Sequence, residues 1–177
     1  MTTTTRKATL TPDEARQLHH EALVIDSQEP GATNSFLYTD NMKEAMAEYV
    51  AQGLSRGQIS VLLEAMAVRE IQTSADARAE YMGLWEKAGV NVASATYAGA
   101  SSPDGSYERS LRMMAQARAI IDALRDELEL VLTADDIERV YETGKRGIIF
   151  DFQDTAPFGS ELDRIDLFYN LGLRVVQ

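Results

Sequence analysis

Two stretches near the carboxyl end, 147-GIIFDFQDTAPFG-159 and 168-FYNLGLRVVQ-177, decide the reading of the fold. Ile148, Ile149, Phe150 and Phe152 are β-branched or aromatic and form a short apolar run, which predicts a buried strand over Gly147–Phe152. Gln153, Asp154 and Thr155 follow at its carboxyl end, and Pro157 and Gly159 mark a loop. A helix is expected over Ser160–Leu171, closed by Gly172, and a second strand over Leu173–Val176. Within the first strand Asp151 must point away from Phe150 and Phe152, toward a barrel interior or a helix interface. An unpaired carboxylate in either place is costly.

The alternation continues upstream. Thr11, Pro12 and Glu14 form a helix start with a capping box, and the helix runs to about His20. The run 22-ALVID-26 predicts a fully buried strand, and 27–40 reads as loop. Asp40 or Asn41 caps a helix carrying Met42, Met46, Tyr49 and Val50. Ser55 and Gln58 make a second capping box, so 59-ISVLLEAMAV-68 is read as helix. Another helix starts at Ser74 and ends at Gly89; period two then predicts a strand in 90–98. After the turn-rich loop 101–105 come the longest helix, a short strand at 130–132, and a helix capped by Thr133. The order predicts a parallel sheet with helical crossovers, either doubly wound or part of a (β/α) barrel.

In both architectures chemistry gathers at the carboxyl ends of strands. The residues there are Asp26 to Pro30, Thr96 to Gly99, Gln153 to Thr155, and Gln177. Asp26 or Asp154 could serve as a base or metal ligand, or each could cap a loop by accepting backbone N–H bonds. His19 and His20 are adjacent on a helix and point about 100° apart, so they do not chelate one ion.

Composition excludes several classes. The 177 residues carry 28 acidic and 17 basic side chains, a net charge of −11 that repels nucleic-acid backbones and anionic lipid. With no cysteine, disulfides and thiolate metal sites are out. No apolar run reaches the ~20 residues of a spanning helix and residues 1–15 lack a signal-peptide core, so a cytoplasmic location is expected. No GxGxxG, GxxxxGK[ST], GxSxG or HExxH motif occurs.

The run TADDIERVYETGKRGIIFDFQDTAPFGSELDRIDLFYNLGLRVVQ resembles the membrane (renal) dipeptidase family of zinc peptidases, and 23-LVIDSQEP-30 resembles its opening Val-Asp-Gly-His-x-Asp. The resemblance implies a TIM-type (β/α) barrel present as its N-terminal half. Residues 1–21 read as a tail and helix outside it, and the resemblance implies a barrel segment over 22–177 with a helical insertion at about 31–75. It implies a hydrolase that cleaves a small dipeptide or amide with a metal-activated water, zinc as cofactor, and a homodimer, second chain or further segment completing the barrel.

The family's metal positions fall on Gln28, Pro30 and Gln153, none a good zinc ligand. The sequence is similar here to a divergent branch with Phe-Gln-Asn/Asp-Thr in place of the Glu. By physical role Asp26 and Asp154 are then the catalytic candidates, and Gln28, Glu29, Gln153 and Thr155 the substrate-binding ones. The rival expectation is a relative without metal, acting as a binding or scaffold protein or as a small-acid lyase.

Overall fold

The computed structural model describes residues 9–29, 37–98 and 104–177, apart from the Glu29 side chain. The polar tail 1–8, Pro30, the rest of the loop through 36, and residues 99–103, including the strand-end candidate Gly99, lie outside the described residues.

Local signals start most helices. In α1 (Pro12–Glu21) the Thr11 hydroxyl accepts from Glu14 N–H, and Glu14 accepts in return from Thr11 N–H. Ser55 and Gln58 do the same for α3 (Arg56–Thr73), which confirms the helical reading of 59–68. Helix α2 (Asp40–Ala51) is capped by Thr39, one residue before the expected Asp40, because the Thr39 hydroxyl reaches Met42 N–H at 3.3 Å. Ser74 caps α4 (Ala75–Ala88), and Gly89 closes it in the left-handed region. Helix α5 spans Ser106–Ala123. Thr133 caps α6 (Ala134–Thr143), with Asp136 reciprocating. Helix α7 is shorter than expected, Asp163–Leu171, because turns occupy the residues after Asp154.

The strands are β1 (Ile25–Glu29), β2 (Val92–Thr96), β3 (Leu128–Leu130), β4 (Arg146–Phe152) and β5 (Leu173–Val176), all parallel. Strand β4 is the centre: β2 pairs along one edge, and on the other β3 holds its amino end while β5 holds its carboxyl end. Two strands sit away from their expected positions. Strand β3 lies two residues earlier than 130–132; Val131, just past it, still donates its N–H to Ile148 O at 2.8 Å while its side chain packs with Val92 and Val140. Strand β1 begins at Ile25 rather than Ala22 and is not fully buried: it is an edge strand, and Ile25 is 46% exposed.

Alternation along β4 divides the core. Ile148, Phe150 and Phe152 face the helices, where Phe152 and Phe168 meet edge to face with ring centroids 4.8 Å apart. On the other face Val92, Val131 and Val140 form a small apolar cluster with Ile137 and Ile149. Gly147 permits this packing, since a Cβ there would sit 2.7 Å from Val131 Cγ2. That face is therefore apolar at the amino end of the sheet and polar at the carboxyl end. Asp151 lies there, opposite Phe150 and Phe152 as expected, and fully buried.

Candidate functional site

Parallel register sets Thr96 beside Asp151, and Asp151 beside Val175 of β5. Ser94 precedes Thr96 by one full period of the strand and shares its face. Ser94 Oγ donates to Asp151 Oδ2 at 3.0 Å and Thr96 Oγ1 donates to Oδ1 at 3.4 Å. Gln177, whose backbone N–H extends the ladder to Phe152 O at 2.9 Å, donates from Nε2 to Asp151 Oδ2 at 3.1 Å. The same Nε2 donates to Gln28 Oε1, and Gln28 Nε2 donates to Thr96 Oγ1 at 2.8 Å. One buried carboxylate, two hydroxyls and two amides from four strand ends thus form a single hydrogen-bonded layer. The carboxylate that would be costly if unpaired has three donors.

The structure gathers the sequence candidates unevenly. Gln28 is in the layer. Asp26 is exposed and accepts from Gln28 N–H at 3.1 Å, and Asp154 accepts from Ala156 N–H at 2.8 Å, both over a spacing of two residues. These are local turn bonds of the Asx kind. Gln153 is exposed just past β4, its N–H on Ala98 O at 3.1 Å, and exposed Thr155 accepts from Phe158 N–H through its carbonyl. Glu29 ends β1, and Pro30 is outside the described residues. His19 lies beside Ala88 at the amino end of the sheet, its Nε2 2.9 Å from Ala88 O, far from the layer in strand sense. Ser94 and Asp151 were not among the candidates named from sequence. The signal for them was present: period two puts Ser94, Thr96 and Asp151 on one face, and three polar groups on a buried face need one another.

The layer does not suit zinc. It holds one carboxylate, already engaged by hydroxyl and amide donors, and otherwise neutral oxygens, whereas zinc takes imidazole, thiolate or several carboxylates. Among the described residues, no group of three or more His, Asp or Glu could hold a metal ion.

A model of the membrane dipeptidase family (peptidase family M19) matches residues 12–177. A search of curated proteins returns no match. Among solved structures, the dipeptidase AC, a metallopeptidase, superposes with a TM-score of 0.58 at 14% identity over 87% of this chain and 41% of its own. The probable dipeptidase PvdM from Pseudomonas aeruginosa gives 0.58 at 14% identity over 93% and 36%. An amidohydrolase from the same organism gives 0.52 at 17% identity over 92% and 35%. The chain therefore spans between 35% and 41% of the length of these proteins, and its five strands are part of a TIM-type barrel.

Proposed function

This chain belongs to the membrane dipeptidase family, and we propose that it supplies the substrate-binding wall of a dipeptidase-like hydrolase acting on a small dipeptide or amide. The observation that carries the reading is the polar layer at the carboxyl ends of β1, β2, β4 and β5, the end where barrel enzymes place their chemistry. Gln28 is its substrate-facing group from β1. Gln153 and Thr155, exposed beyond β4, are its candidate rim groups, and Glu29, the last residue of β1, is the remaining substrate-binding candidate.

Asp26 and Asp154 are the candidate bases by charge and position. Each also accepts the backbone N–H of the residue two further on, a local turn bond that holds its side chain in place. Zinc is the family's cofactor, but the described residues offer it no fitting donor set. In the proposed assembly a second copy, a second chain or a further segment covers the open edges of β1 and β5.

The second reading is a family relative that binds such molecules without hydrolysing them. The Asp151 layer favours it, because Gln28 offers a neutral amide committed to hydrogen bonds where a zinc site needs an imidazole or carboxylate. Incubation with a panel of unblocked dipeptides, followed by quantitation of released amino acids, separates the two. Release that falls in Asp26→Asn or Asp154→Asn supports the hydrolase; binding without release supports the second reading.

A further inference from the structure

The hydrogen bonds of the polar layer run in one sense. Gln177 Nε2 donates to both Gln28 Oε1 and Asp151 Oδ2, which uses both of its hydrogens. Ser94 and Thr96 direct their hydroxyl hydrogens to Asp151. A dication at Asp151 would have to displace these donors, and would then meet one formal charge among neutral oxygens. The capacity left over is of another kind. Gln28 retains one Nε2 hydrogen beyond the bond to Thr96, and Gln177 retains its Oε1 acceptor. Both glutamines are exposed, whereas Ser94, Thr96 and Asp151 are buried beneath them.

We infer that Gln28 and Gln177 form a metal-independent clamp for an uncharged amide, with Asp151 as the positioning residue that fixes both side chains. The Gln28 donor takes the ligand's carbonyl oxygen, and the Gln177 acceptor takes its N–H. A primary carboxamide carries both the carbonyl acceptor and the N–H donor that the pair calls for. Asp151 acts at one remove: it anchors Gln177 directly, and it holds Gln28 through Thr96. The clamp deepens the proposed function and rests on it only for placing the amide in a dipeptide-like molecule.

The test follows the glutamine side-chain amide resonances of the ¹⁵N-labelled chain, assigned by their disappearance in Gln28→Ala and Gln177→Ala. N-acetylglycinamide is expected to shift both pairs saturably, with or without EDTA, while equimolar zinc chloride moves neither. Asp151→Asn and Thr96→Val are expected to weaken probe binding about tenfold, the loss of one or two hydrogen bonds. In each variant the glutamine resonances should collapse toward unstructured positions while the backbone spectrum persists. Thr96→Val is near-isosteric and keeps the experiment readable should Asp151→Asn fail to fold.

Resonances unmoved by N-acetylglycinamide would overturn the clamp, as would zinc shifts reversed by EDTA. Amino-acid release is scored separately. A chain that binds the amide but hydrolyses no dipeptide overturns the hydrolase reading alone, and an active chain with unmoved resonances overturns the clamp alone.

Discussion

At the scale of single residues, the balance of donors and acceptors around Asp151 governs both stability and recognition. Ser94→Ala removes one of three donors to a carboxylate that water does not reach. It should cost about 1–2 kcal/mol, read as a lower urea midpoint at unchanged m-value; an unchanged midpoint would mean that Ser94 does not support Asp151. Asp136 gives a pH-dependent counterpart. Burial pushes its carboxyl up, but bonds from Leu132 N–H, Arg139 and Thr133 outweigh this and hold it at about 2, below the ordinary 3.8. A folded value below the unfolded one stabilises fully above the unfolded value, and that contribution is lost as pH falls from about 4 to about 2. Asp136→Ala should therefore cost about 1 kcal/mol near neutrality. Thermal melts of the two proteins should converge as the pH is lowered through this window, and a constant gap would contradict the assignment. Gln28 was legible from its place after the expected strand 22–26, although it lies within β1. Asp151 was legible as an awkward carboxylate but not as the centre of a layer, because its partners are 55 and 57 residues away in the chain.

Among the elements, capping boxes and helical periodicity located α1, α3 and α6 well, since both signals lie within one turn of the chain. Strand limits were less legible. An apolar run does not reveal where its neighbours will pair with it: β3 pairs from Leu128 to Leu130, and the ladder ends with Val131 N–H on Ile148 O. Strand β1 misled for a related reason: its apolar residues flank an edge, and Leu23 and Ile25 stay exposed. Two substitutions test the packing. Gly147→Ala drives a methyl into Val131 and Val92, at 2.7 and 3.1 Å from their Cγ2 atoms. Overpacking of this kind should cost about 1–3 kcal/mol in chemical denaturation. Phe168→Ala empties the ring cluster of Phe152, Phe158 and Tyr107, and should cost about 3–5 kcal/mol. A loss under 1 kcal/mol, on the order of an exposed site, would mean that α7 does not dock as described.

For the molecule as a whole, the sheet is an arc with two free edges. Among the described residues β1 pairs only with β2, and β5 only with β4. Leu162, Ile165 and Val176 remain exposed beside the β5 edge. Parallel edges of this kind are places for further strands, so sedimentation velocity on this chain should show association that rises with concentration; a monomer at all concentrations would leave the proposed second copy without support. The helical crossovers made a parallel α/β fold legible in the sequence. The polar layer needed three-dimensional register to appear.

The central claim, that these strand ends hold a dipeptide-like substrate for hydrolysis, is tested most directly by turnover. Free amino acids should be released from unblocked dipeptides, with a KM about tenfold higher for Gln28→Ala as ground-state hydrogen bonds are lost. Release of no amino acid from any dipeptide, or a KM untouched by Gln28→Ala, would contradict it.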